Sequence, residues 1–328
     1  MQRLALRTLT TLKPFFRWFI LGATIVFLAD HLRRYGAEML ALPLTPSAYR
    51  WIALGLGLTI AAHGWAGVAW AWILHYLNYP QSYAWATQVY LSTNIAKYLP
   101  GNIWHFVARV RASQTQRIPL RISILSVGLE AFLMMAAALI LALGSPLPWG
   151  IRILGLGMVL GLLHPRFLSP VLQRLERSKR QQLDQLDPDQ PVAPLDQTTE
   201  PQTVLPYPWK PYPWKPYPWK PLGGEFLFVL LRSLGFLTIV LSLYPLPLHQ
   251  IGSLISGFSV AWVLGLVVPG APGGLGVFEA TAILLLDGLL PASIVLATVT
   301  IYRVISTLAE AIGAGLVKLV RSPQSHFP

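Results

Sequence analysis

The sequence predicts an all-α integral membrane protein, and three observations carry that prediction. Apolar runs recur along almost all of the 328 residues, several of them of spanning length. Only 12% of the residues are charged, where a soluble domain carries about 25%. The basic residues are gathered between the runs: eighteen of the 25 Lys and Arg fall within 3–17, 109–121, 166–180, 210–220 and 318–321.

That clustering is the positive-inside pattern, with Lys and Arg held on the cytoplasmic face. It explains the net charge of +12 better than a nucleic-acid groove does, so no nucleic-acid partner is expected. Length alone suggests about two domains, but the apolar runs override that prior in favour of one polytopic membrane domain over 1–328. The absence of cysteine excludes disulfides, thiolate-bound zinc and a thiol nucleophile. The seven histidines are scattered, and His63 and His75, twelve residues apart, fall on different faces of one helical run. No metal and no cofactor are expected.

The elements are read in order. Arg3, Arg7, Lys13 and Arg17 precede an apolar stretch, Trp18 to Ala29, that lacks a small-x-small cleavage pattern. It reads as an uncleaved first span with its N-terminus inside, and 1–47 comprises this span and an external loop. A second span over about 48–77 carries Gly55, Gly57, Ala61, Gly64 and Gly67, small residues suited to close helix contact in lipid. Residues 82–112 are apolar but interrupted at Pro100-Gly101. Proline breaks a helix there, so a re-entrant hairpin is expected. Spans follow at about 122–143, containing Glu130, and at 149–163, separated by the turn Ser145-Pro146-Leu147-Pro148.

Residues 166–222 read as a cytoplasmic linker ending in three copies of Pro-Tyr-Pro-Trp-Lys, at 206–210, 211–215 and 216–220. Proline at that density favours a polyproline II spacer, which should be dispensable for folding; the alternative seats Trp209, Trp214 and Trp219 at headgroup level beside Lys210, Lys215 and Lys220. Beyond it come a span at about 226–244 with Arg232, a second Pro-Gly-broken hairpin over 248–287, and a last span at about 293–320 with Arg303. The expected architecture is about six full spans and two re-entrant hairpins. Units 48–144 and 223–321 share the order span, broken hairpin, span, with 149–165 as an extra span between them. The charge clusters give these units opposite orientations, the inverted-repeat arrangement of many secondary transporters.

Six ionisable residues fall where lipid is expected: Lys97, Arg109, Glu130, Arg232, Glu279 and Arg303. A charged side chain at a helix centre costs about 2.5–3.5 kcal/mol on insertion scales. Two carboxylates against four cations leave a surplus of about two positive charges, with Lys97 and Arg109 able to snorkel toward the inner surface. Glu130 and Arg303 lie far from either end of their spans and are expected to approach one another. New helices should start at Ile103 and near Leu275, and helix N-termini favour phosphate or carboxylate. The candidate binding set is therefore Lys97, Pro100, Gly101, Asn102, Arg109, Glu130, Arg232, Pro272, Gly273, Gly274, Glu279 and Arg303. Its expected ligand is an anionic lipid headgroup, and no catalytic residue is assigned.

Two stretches resemble a known family. Asn94-Ile95-Ala96-Lys97-Tyr98-Leu99-Pro100-Gly101-Asn102-Ile103-Trp104 with Arg109 is similar to the first signature of the transmembrane region of lysylphosphatidylglycerol synthases. Pro272-Gly273-Gly274-Leu275-Gly276-Val277-Phe278-Glu279-Ala280 resembles the second, and Tyr302-Arg303 the arginine of the last span. Glu130 falls where that family carries an acidic residue. The resemblance implies a flippase-like role in lipid translocation. The sequence ends at Pro328 without the soluble aminoacyl-transferase domain of the full-length synthases, so lysyl transfer by this chain alone is not expected. The alternative expectation is a membrane subunit that presents a lipid to a separate synthase or glycosyltransferase. The setting that follows is a bacterial plasma membrane, with both termini cytoplasmic.

Overall fold

A computed structural model describes residues 26, 29–30, 32–42, 45–98, 103–144, 148–164, 217–268, 274 and 276–321. The first expected span, the linker with most of its repeats, the turn at 145–147 and both Pro-Gly breaks lie largely outside the described residues. The chain falls into two units, Met1–Val159 with Trp219–Pro328, and Leu160–Pro218. In the smaller unit the Tyr217 hydroxyl donates to the Leu160 carbonyl at 3.4 Å. Everything that follows concerns the larger unit, apart from the end of one helix noted below.

The described fold is helical. Helix α1 (Pro46–Tyr76) starts where the Thr45 hydroxyl accepts from the Ala48 N–H at 3.3 Å, with Pro46 filling a first-turn position that needs no donor. It ends at Asn78, whose φ of 67° is the left-handed conformation that closes helices. Helix α2 (Tyr83–Asn94) is capped by Ser82 and runs into a 3₁₀ turn at Ile95–Tyr98. After the first break come α3 (Trp104–Thr115) and α4 (Leu120–Leu141). Helix α5 (Trp149–Leu162) runs into the smaller unit. Then follow α6 (Trp219–Leu243), α7 (Leu248–Val267), α8 (Val277–Leu286) and α9 (Ala292–Arg321). The order long helix, broken pair, long helix thus occurs twice, as α1 to α4 and as α6 to α9.

Five helices among the described residues are long and apolar enough to cross a membrane. Together with the absence of strands among them, they make this an all-α integral membrane protein. Two lengths differ from expectation. Helix α7, expected as a hairpin leg, runs 20 residues without interruption because the Pro269-Gly270 break comes only after Val267. Helix α5, expected as a full span, has 14 residues. At 1.5 Å per residue it covers only about 21 Å of a roughly 30 Å hydrocarbon core. Helix α6 also begins seven residues early, at Trp219 inside the third Pro-Tyr-Pro-Trp-Lys copy. Pro221 is tolerated because it sits in the first turn, and Lys220 lies 4.8 Å from the Trp72 ring centre.

Helices in lipid associate through close packing rather than through expulsion of water, and α1 packs along α6 on that basis. A Cβ at Gly55 would lie 2.5 Å from Thr238 Oγ1 and 3.2 Å from the Gly235 carbonyl. Gly67 plays the same part against α2, where a Cβ would meet Thr87 Cα at 2.4 Å. Gly57 and Gly64, from the same set of small residues, face open space. Gly55→Leu is therefore expected to cost at least the roughly 1–3 kcal/mol of an overpacked core, while Gly57→Leu leaves the unfolding midpoint unchanged. Thermal unfolding of both variants in detergent checks the contrast.

Candidate lipid-binding cavity

Two aromatic anchors position the polar residues. In the second half Phe236, Phe258, Phe278 and Tyr302, from α6, α7, α8 and α9, pack with ring centres 5.1–6.3 Å apart. Phe278 and Tyr302 immediately precede Glu279 and Arg303, so this cluster sets where those two side chains start. In the first half Trp70 stacks on Trp85 at 5.5 Å. The Arg109 guanidinium sits 5.7 Å from the Trp70 ring centre and 4.1 Å from that of Tyr90. Cation–π contacts of this kind recover part of the cost of burying the charge.

Between the two anchors lies a cavity of about 310 Å³, the lower end of the range for small-molecule sites. Of the seven candidate residues that the structure describes, six line it: Lys97, Arg109, Glu130, Arg232, Gly274 and Arg303. Glu279, the seventh, stands behind Arg303. Pro100, Gly101, Asn102, Pro272 and Gly273 lie outside the described residues. Tyr90, Phe228, Trp262 and Phe278 supply apolar wall.

Glu130 and Arg303, expected to approach one another, are each engaged elsewhere. Glu130 does not reach Arg303; it pairs with Arg109, and Glu279 pairs with Arg303 at 2.5 Å. Each carboxylate takes the cation that local geometry brings to it: α3 packs on α4, and α8 on α9. Arg109 is 1% exposed and does not snorkel. Glu279 also accepts from the Gly276 N–H at 2.6 Å. The donor expected at the second helix start is therefore engaged by the chain's own carboxylate. The glycines around it are required by conformation. Gly274 has φ of 72°, and a Cβ there would lie 2.9 Å from the Gly265 carbonyl oxygen.

Sequence reasoning missed two residues of this site, His63 and Glu310, and a third buried group, Glu225. Glu310 on α9 is 2% exposed and pairs with Lys97, while the same carboxylate lies 3.3 Å from His63 Nε2. Arg232 donates to His63 Nε2 at 2.9 Å and to the Ser306 hydroxyl at 3.0 Å. Glu225 on α6 is fully buried. The signal for the two carboxylates was present, because seven residues return to the same helix face: Glu310 follows Arg303 by seven and Glu225 precedes Arg232 by seven. The expected surplus of two positive charges is corrected accordingly. Glu130, Glu279 and Glu310 each pair with one of the four cations Lys97, Arg109, Arg232 and Arg303, which leaves a surplus of one. The cavity wall itself stays basic, since all four cations line it and Glu130 is its only carboxylate among the described residues.

The lysylphosphatidylglycerol synthase TM region matches residues 16–313. No curated protein matches the chain in direct sequence comparison. The match spans both halves of the helical bundle and takes in every residue of the cavity, and it points to a lipid-related role in the membrane. The chain belongs to the lysylphosphatidylglycerol synthase TM region family.

Proposed function

We propose that this protein is a flippase-like translocator that carries the headgroup of an anionic lipid through the cavity between its two halves. The observation that supports the reading is the division of charge. Four cations face the cavity, while Glu279 and Glu310 stand behind the cations they pair with. Arg232 is the cavity cation with no carboxylate partner among the described residues, which leaves it for a phosphodiester. In hydrocarbon such a charge persists only when function or pairing retains it. The aromatic walls suit the glycerol and upper acyl segments of the same lipid. The two halves, in opposite orientations as the charge clusters suggest, would open the cavity to one leaflet and then to the other. In this arrangement both termini and the 166–222 linker face the cytoplasm of a plasma membrane.

The test is lipid transfer by the purified chain in phosphatidylcholine vesicles carrying fluorescent phosphatidylglycerol. Protection of the label from an external quencher should fall faster than in protein-free vesicles, and fluorescent phosphatidylethanolamine should move more slowly. Equal rates with and without protein would refute translocation.

A further inference from the structure

Glu225 has no part in the reading above, yet it is the most anomalous group in the bundle. It is 0% exposed, and neither carboxylate oxygen has a hydrogen-bond partner among the described residues. A lone carboxylate away from water is costly enough that it is relieved by carrying a proton. Its place on α6 is specific. Phe228 and Arg232, three and seven residues on, share its face and line the cavity. Toward the other end, Glu225 is six residues from the helix start at Trp219, about 9 Å along the axis, beside exposed Gly223.

The charged groups that act on Glu225 are Glu130 and Arg109. Among the helices packed on α6, α4 supplies Glu130. Helix α1 brings His63 to 6.3 Å from Phe228, one turn along. Helix α7 presents Trp262 against Phe228, and α9 places Tyr302, Arg303 and Glu310 at the level of Arg232. Behind Arg109 stands Tyr90 of α2, and α3 adds His105. Glu130 itself spends one oxygen on Arg109 and leaves Oε1 buried without a partner among the described residues.

We propose that Glu225 and Glu130 form a proton relay that makes lipid transfer proton-coupled. The inference rests on the translocator reading. In the resting state Arg109 neutralises Glu130 and Glu225 holds its proton. A phosphodiester, with one negative charge, binds Arg232 first and then, as it passes through the cavity, competes with Glu130 for Arg109. Once Arg109 turns to the phosphate, Glu130 is uncompensated; it takes the proton from Glu225, and Glu225 is reloaded from water at the Trp219 end. One proton enters per anionic headgroup, so the loaded cavity carries the same net charge as the empty one. Release of the lipid returns Arg109 to Glu130 and expels the proton on the other side.

The experiment uses the full chain in phosphatidylcholine vesicles with fluorescent phosphatidylglycerol and a lumenal pH dye. An imposed pH gradient should accelerate wild-type transfer down the proton gradient at least tenfold, and the lumen should change pH only when the lipid is present. Glu225→Gln should lose the gradient response, and Glu225→Asp should restore part of it. Wild-type transfer that ignores the gradient, or a Glu225→Gln protein that responds like wild type, would overturn the coupling and leave translocation standing. Should Glu225→Gln not fold, the wild-type and Asp measurements still decide. Absence of any protein-dependent transfer would instead sink the translocator reading.

Discussion

Glu130→Gln is expected to destabilise the protein by about 3–5 kcal/mol, the usual cost of stranding one member of a buried ion pair. Arg109→Met should cost clearly less, and the double variant should recover most of the loss. The asymmetry follows from what each partner can do alone. An arginine cannot shed its charge in a protein, so without Glu130 the guanidinium stays charged at 1% exposure, eased only by the Tyr90 and Trp70 rings. A glutamate left without Arg109 can take up a proton and become neutral. Unfolding of the single and double variants in detergent measures the cycle. Additive losses would mean that Arg109 and Glu130 do not stabilise one another. The same cycle run on Glu130 with Arg303 should give little coupling, because those side chains pair with Arg109 and Glu279 respectively.

The contrast between those two cycles shows how far the sequence could be read. The helices were legible because apolar length and proline are strong local signals: the described turns end at Tyr98 and the described helix at Val267, just before the expected breaks. The ionisable residues were legible as anomalies, because a charge inside an apolar run stands out however the helices pack. Their partners were not. Glu130 and Arg303 occupy corresponding helices of the two halves, which invited a pairing, but the pairing is decided by which short helix lies against which long one. That is a tertiary fact with no trace in spacing. Glu225 was lost for a different reason: it falls between the linker's end at 222 and the expected start of the span at 226, and joins the helix only because that helix begins at Trp219. Glu310 lies inside the last expected span, seven residues beyond Arg303, and was passed over although the helical period puts it on the same face. The composition of the cavity, four cations and Glu130 in front with Glu279 and Glu310 behind, became visible only when two turns of helix had been placed beside each anomaly.

Arg232→Lys should separate the headgroup seat from the scaffold. Lysine keeps the charge and much of the length, so the fold is expected to tolerate it. What it lacks is the planar fork, whose Nη1 is held by His63 and Ser306 while Nε, buried, has no partner among the described residues. His63 can accept from Arg232 only with an unprotonated Nε2, so this imidazole orients the fork rather than competing with the phosphate as a second cation. The Tyr302 ring, 5.3 Å from the guanidinium, fixes its plane. Losing a charge-assisted hydrogen bond to the phosphate costs about 1.5–3 kcal/mol, roughly ten- to a hundredfold in affinity. Transfer of fluorescent phosphatidylglycerol should fall by that factor at subsaturating lipid, with the unfolding midpoint nearly unchanged. Lys318→Gln, at the exposed end of α9, should alter neither quantity. Full transfer by a stable Arg232→Lys protein would move the phosphate to one of the three cations that already hold a carboxylate. The headgroup would then have to break an ion pair to bind, and binding should weaken in the order in which those pairs are buried, with Arg109 the hardest to free.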